Sequence, residues 1–228
     1  MTTSASVEWR VRVNDDETTA LYEPAEGKQS AVFVCGHGAG GHLRDRGMLR
    51  LAESLRSVGI GVVRFNFVYS ERRSGRPDPM PRLKECVAAV VARTREEIAR
   101  RPLIIGGRSL GGRAASMLAA DGFACDGLLL LAYPLHPAGR PEQLRDAHLP
   151  AIRVPVLCLS GTRDDLCRKD LMEAALSKVT TRWTMHWLEG ADHSFHVLKS
   201  SGRTDAQVFD EIASASSSWI QDLPPVKP

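Results

Sequence analysis

From residue 31 onward, short apolar runs alternate with segments whose apolar residues recur at helical spacing, and this alternation limits the fold more than any other feature of the chain. Ala31-Val32-Phe33-Val34 is a continuous apolar run, as expected of a strand covered on both faces. Beyond a glycine-rich turn, Met48, Leu51, Ala52, Leu55 and Val58 mark a helix, and Ile60 to Phe67 returns to a strand. Leu83, Cys86, Val87, Val90, Val91, Thr94 and Ile98 share one face of a long helix. The strand Leu103-Ile104-Ile105, a helix from Arg113 to Ala120 and the strand Leu128 to Leu131 follow. Val156 to Ser160, Leu171 to Lys178, Arg182 to Leu188 and a last amphipathic stretch with Val208, Phe209, Ile212, Trp219 and Ile220 continue the alternation.

That order predicts an α/β fold, a doubly wound and mostly parallel sheet with helices on both faces. Ahead of it, Glu8 to Val13 and Thr18 to Glu23 flank the polar turn Asn14-Asp15-Asp16 and read as an antiparallel pair joined to the sheet. Residues 68–81 read as a polar, proline-rich loop. Residues 133–154, with Pro134, Pro137, Pro141 and Pro150, are too short for a large lid domain. No repeat or linker divides the chain, so residues 1–228 are expected to form one domain, with a frayed tail from Leu223 to Pro228.

Composition narrows the function classes. The net charge is +3 and the arginines are scattered, so the footprint of a nucleic-acid binder is missing. The densest basic cluster, Arg72, Arg73 and Arg76, reads as a solvated loop. The five cysteines include no CxxC pair, and Cys35, Cys86, Cys125 and Cys158 lie in apolar segments, as reduced core thiols do. The N-terminal stretch lacks the apolar region of a signal peptide, and no run approaches the ~20 apolar residues that cross a bilayer. These features predict a cytoplasmic protein without a membrane or nucleic-acid partner.

In open parallel sheets, ligands bind at the carboxyl ends of the strands. Four turns there carry candidate chemistry: Gly36–Gly41, Gly107–Gly111, Gly161–Asp165 and Gly190–His193. Gly107-Arg108-Ser109-Leu110-Gly111 matches G-x-S-x-G, which chance alone yields in on the order of one such chain in ten. Here the motif closes an apolar strand and opens a helix, as a nucleophile elbow requires. A serine hydroxyl attacks only when a base takes its proton. His193 is the candidate base, and Asp164 is the acid that would fix its tautomer. Asp165 and His196 are their rivals by spacing. The backbone N–H groups of Leu110 and Ala39, with Gly40 beside it, are the candidate oxyanion donors. His37 reads as structural. Arg108 is expected to attract an anionic acyl group. Tyr133, Leu135 and His136 are candidate pocket residues, although a proline-stiffened loop accounts for them equally well.

Two other motifs compete for the same glycines. Gly36-His37-Gly38-Ala39-Gly40-Gly41 also fits the dinucleotide pattern G-x-G-x-x-G. The next strand, Ile60 to Asn66, offers no acid for a ribose, although Arg64 suggests an NADP phosphate. Gly106 to Gly111 starts like a phosphate-binding loop, but Gly112-Arg113 replaces the required lysine and hydroxyl.

With these turns placed, the chain resembles the α/β-hydrolase superfamily over nearly its whole length. More narrowly, it is similar to the dienelactone-hydrolase-like branch that holds the NSL chromatin-complex subunit and its small testis-expressed relative. The matching stretches are Gly36–Gly41, Gly106–Arg113, Tyr133–Pro137, Gly161–Asp164 and Gly190–Phe195. The resemblance implies Ser109, Asp164 and His193 as a triad and favours Asp164 over Asp165, which stands where the branch tends to have proline. Ala138 likewise replaces a usual proline. The expected activity is hydrolysis of small esters, thioesters or lactones through an acyl-enzyme, without cofactor or metal. The chromatin member resembles a scaffold, so a catalytically silent binding protein is the alternative.

Overall fold

The computed structural model describes residues 5–98 and 101–224. Its centre is an eight-stranded sheet in the order β1-β2-β4-β3-β5-β6-β7-β8. β1 (Val7–Val13) alternates exposed residues with buried Trp9, Val11 and Val13. The chain reverses at Asn14, whose φ of 55° suits asparagine, into antiparallel β2 (Asp16–Glu23). β2 then pairs antiparallel with β4 (Ile60–Phe65). The remaining pairings, through β3 (Ala31–Gly36), β5 (Leu103–Arg108), β6 (Gly127–Leu131), β7 (Val156–Gly161) and β8 (Trp183–Leu188), are parallel. β3, β4, β6 and β7 are buried at every position, which is why they read as largely apolar runs, with Arg64 the charged exception in β4.

Helices cover both faces. α1 (Arg46–Ser57) and α6 (Asp205–Gln221) enclose one core around Phe33, Leu129, Leu131 and Leu159. α6 starts at a capping box formed by Thr204 and Gln207. α3 (Met80–Glu97), α4 (Leu110–Ala120) and α5 (Lys169–Leu176) enclose the other core around Val34, Phe65, Ile105, Leu130 and Tyr133. α4 packs close to the sheet because its buried residues are small: Gly111, Gly112, Ala114, Ala115, Ser116 and Ala119, with Leu118.

Some expectations need correction. The stretch from 68 to 81 is not simply a solvated loop. It opens with a short helical turn, α2 (Val68–Glu71), capped by the Phe67 carbonyl, and Val68 and Tyr69 are buried. Among the cysteines, Cys125 is only half-buried and Cys167 is buried; all five are free. Leu223 packs on the core, and the rest of the expected frayed tail, from residue 225, lies outside the described residues. Arg64 is 1% exposed, ion-paired with Glu23 at 2.6 Å and bonded to the Leu43 carbonyl, so it is unavailable to a nucleotide phosphate. Two strands also precede β3, which removes the dinucleotide reading. Residues 133–154 form an irregular excursion, not a lid, and bury Tyr133, Leu135, Leu149 and Ile152. Among the described residues no helix is long and apolar enough to cross a membrane.

The strand order reverses direction between β3 and β5: β4 lies beyond β3, while β6, β7 and β8 follow on the far side of β5. A crevice opens at the carboxyl ends of strands at such a switch point.

Candidate active site

Ser109 stands at the carboxyl end of β5, on the edge of that crevice. Its backbone has φ 50° and ψ −110°, a strained conformation for a residue with a side chain. The strain is imposed from both sides. The Ser109 N–H donates to the Leu131 carbonyl at 2.8 Å, and the Ser109 carbonyl accepts from the Arg113 N–H at 3.0 Å. The chain must turn here from strand to helix against β3. A Cβ at Gly107 would lie 2.2 Å from the Gly36 carbonyl oxygen, and one at Gly111 would lie 2.3 Å from it. Only glycine fits at these two positions, and their role is close backbone approach.

The candidate base and acid arrive from other strands. Asp164 follows β7 in a tight turn in which its N–H donates to the Gly161 carbonyl. Its carboxylate is wholly buried, and Oδ1 also accepts the Leu166 N–H at 2.8 Å. His193 follows β8. Its Nδ1 lies 2.9 Å from both Asp164 oxygens, and its Nε2 lies 3.0 Å from Ser109 Oγ. The carboxylate can only accept, so Nδ1 carries the proton and the Nε2 lone pair faces the serine hydroxyl. This is the tautomer that proton abstraction from Ser109 requires.

The rivals stand elsewhere. Asp165 is exposed, and His196 turns away to pair with Asp205 at 3.0 Å. His37 is fully buried: Nδ1 donates to the Gly38 carbonyl at 2.8 Å and Nε2 accepts the Phe67 N–H at 3.1 Å. Burial holds its pKa below the usual imidazole range, so it stays neutral and braces the turn.

Of the candidate oxyanion donors, Leu110 is the first residue of α4, whose opening N–H groups lack intrahelical partners and whose positive end faces the site. Ala39 and Gly40 are exposed at the tip of the loop after β3. Gly38 approaches Ser109 more closely: a Cβ there would sit 3.7 Å from the Ser109 Cβ. The repeated glycines signalled the loop but not which of them packs against the serine.

The pocket candidates separate. Tyr133 is fully buried in the core and donates to the Arg145 carbonyl at 2.7 Å. His136, 2% exposed, donates from Nδ1 to the Pro137 carbonyl and accepts the Arg168 N–H. It borders a cavity of about 560 Å³ that Asp164 also lines. Gly40 borders another of about 530 Å³, with Gly41, Tyr69, Ser70 and Arg73. Arg108 turns toward the histidine loop, donating to the His193 carbonyl at 3.3 Å and to Ser194 Oγ at 3.1 Å. Ser194 was missed in the sequence because a serine after a histidine carries no signal.

A strained serine between strand and helix, a histidine and a buried carboxylate, gathered at the switch point of a mostly parallel sheet, define an α/β fold of the serine-hydrolase type. Residues 29–221 match the family described as "Alpha/beta hydrolase domain", and the chain belongs to that family. Its fold is similar to that of a lidless α/β serine hydrolase from Xanthomonas campestris (TM-score 0.76, 21% identity, 100% of this chain and 99% of that one). It is also similar to an α/β serine hydrolase homologue from Coxiella burnetii (TM-score 0.75, 19% identity, 92% and 96% covered). A dienelactone hydrolase from Anabaena variabilis shares the fold as well (TM-score 0.73, 19% identity, 97% and 99% covered).

Proposed function

We propose that the protein is a serine hydrolase that cleaves small carboxylic esters, thioesters or lactones through an acyl-enzyme on Ser109. The observation that carries this reading is the continuous hydrogen-bonded line from Ser109 Oγ through both nitrogens of His193 to the buried Asp164 carboxylate. In the first half-reaction Oγ bonds to the substrate carbonyl carbon while its proton passes to His193 Nε2. The negative charge on the carbonyl oxygen meets the backbone N–H of Leu110 and donors of the Gly38–Gly40 loop. Collapse breaks the bond to the leaving group, which takes the proton from Nε2. Water then attacks the acyl-enzyme, gives its proton to Nε2, and the acid leaves as Oγ recovers a proton. Asp164 stays ionised throughout and stabilises the imidazolium.

The same reading has a single domain working without cofactor or metal on a small-molecule ester in a reducing compartment. The absence of a lid supports an open site that takes small substrates directly. The motif matches from Gly36 to Phe195 support the narrower affiliation with the dienelactone-hydrolase-like branch. A fluorophosphonate probe tests the reading. The wild-type chain is expected to take one label at Ser109, Ser109→Ala none, and His193→Ala at least ~10³-fold more slowly. A wild-type chain that stays unlabelled while folded refutes it.

A further inference from the structure

The histidine loop has the longest reach in the site. β8 lies three strands from β5, roughly 14 Å at about 4.8 Å per strand, so residues 189–197 must lean back across β7 and β6 to bring His193 to Ser109. The base of this loop is well held. Ala191 bridges Val197, Asp192 Oδ1 accepts the N–H groups of Ser194 and His196, and Phe195, with φ 63°, is buried against Phe209. The tip is less protected: His193 is half-buried and Ser194 is exposed.

Arg108 reaches this tip from the opposite side of the site. It is the last residue of β5, so its backbone is fixed by the same ladder that fixes Ser109. Its Nη2 donates to the His193 carbonyl and to Ser194 Oγ, and its Nη1 passes over Gly47 in the first turn of α1, 3.5 Å from where a Cβ would stand. Its Nε is buried without a partner. The guanidinium therefore spans three parts of the site: the nucleophile strand, the start of α1 and the histidine loop.

We propose that Arg108 is a positioning residue, a strut that holds the His193–Ser194 backbone so that Nε2 stays on Ser109 Oγ. The inference rests on the serine-hydrolase reading above. It replaces the expectation that Arg108 receives an anionic acyl group. Burial works against the guanidinium's charge, and the carboxylates of Asp45, Asp192 and Asp164 work to keep it. Both bonds come from Nη2 of a planar guanidinium whose Nη1 packs over Gly47, and a lysine ammonium, which lacks the plane and the second nitrogen, reproduces this only in part.

The test compares wild type, Arg108→Ala, Arg108→Lys and Ser194→Ala. The readouts are the rate of fluorophosphonate labelling, the thermal midpoint, and kcat and KM for p-nitrophenyl acetate and for the anionic p-nitrophenyl hemisuccinate. A misplacement of about 1 Å costs on the order of 100-fold, so Arg108→Ala is expected to label roughly 10- to 100-fold more slowly. Its kcat should fall by the same factor for both esters with KM nearly unchanged. Arg108→Lys should recover part of the rate and Ser194→Ala should lose a smaller part. These two variants carry the comparison if Arg108→Ala lowers the thermal midpoint. Labelling within twofold of wild type, or a KM increase confined to the anionic ester, overturns the proposal. A folded wild-type chain that takes no label overturns the serine-hydrolase reading first, and this proposal with it.

Discussion

Lowering the pH should destabilise the protein through His148. This histidine lies in the irregular excursion after β6, where its Nε2 sits 2.8 Å from the Oγ of Ser116, a fully buried residue of α4. Burial, followed by the nearby Arg113 guanidinium, lowers its pKa from 6.5 to about 4, against the weaker pull of Asp146 and Asp121. The folded-state pKa lies below the unfolded one, so the unfolded chain takes up a proton that the folded chain refuses. Stability is therefore complete above pH 6.5 and falls as the pH drops toward 4. The gap between 6.5 and about 4 corresponds to about 3 kcal/mol at ~1.4 kcal/mol per pH unit. Part of the ring meets water, and screening reduces the expected loss to about 2 kcal/mol. His37, whose pKa is also lowered by burial, acts in the same direction. Urea denaturation at pH 7.5, 6 and 5, in wild type and His148→Gln, isolates the contribution, because His37 and the carboxylates titrate in both. Between pH 7.5 and 5 the stability difference between the two chains should shift by about 1 kcal/mol toward the variant, because pH 5 lies short of the folded-state pKa. Parallel curves would refute the reasoning.

Three further substitutions probe the charged groups. Asp164→Asn should lower kcat by about 10⁴ with little change in thermal midpoint, because the amide favours the wrong imidazole tautomer. Asp165→Asn, at an exposed position, should leave kcat within about twofold; equal losses in the two variants would contradict the assignment of the acid. Glu23→Gln leaves the Arg64 guanidinium buried without its counter-charge and should cost about 3–5 kcal/mol in chemical denaturation, while a cost under about 1 kcal/mol would mean that Arg64 finds another partner.

The fold was legible because its central strands are buried on both faces, so that runs such as Ala31–Val34 and Leu128–Leu131 stand out. The turns with chemistry were legible for a related reason. The turns carry glycines, and the order serine, acid, histidine places the three groups after β5, β7 and β8. The short helix at Val68–Glu71 was hidden because its polar residues and the prolines beyond it read as loop, while the burial of Val68 and Tyr69 depends on tertiary packing. Gly36 reads as the first residue of a glycine-rich turn. It is in fact the backbone surface against which Gly107 and Gly111 pack, a contact between segments some seventy residues apart. Tyr133 carried a polar group after a strand end and read as a pocket residue, but the Arg145 carbonyl satisfies its hydroxyl inside the core. Side-chain direction at a strand end is set by the neighbours it meets, and local pattern does not contain them.

The position of the elements divides the site into a rigid half and a half that must be braced. Ser109 and the Leu110 N–H are carried by β5 and α4 at the centre of the sheet, where ladder bonds on both sides resist displacement. Asp164 follows a strand that is also paired on both sides. His193 alone follows β8, a strand paired only with β7, and it alone must cross two strand positions to reach its partner. Local opening free energies are lowest at such edges. Precision at Nε2 therefore has to come from contacts made after the strand ends. They are the Asp192 turn beneath the loop, the buried Phe195 behind it, the Asp164 carboxylate beside it and the Arg108 guanidinium across it. On this view the residue next to the nucleophile is an arginine because β5 is the rigid element from which the histidine loop can be held.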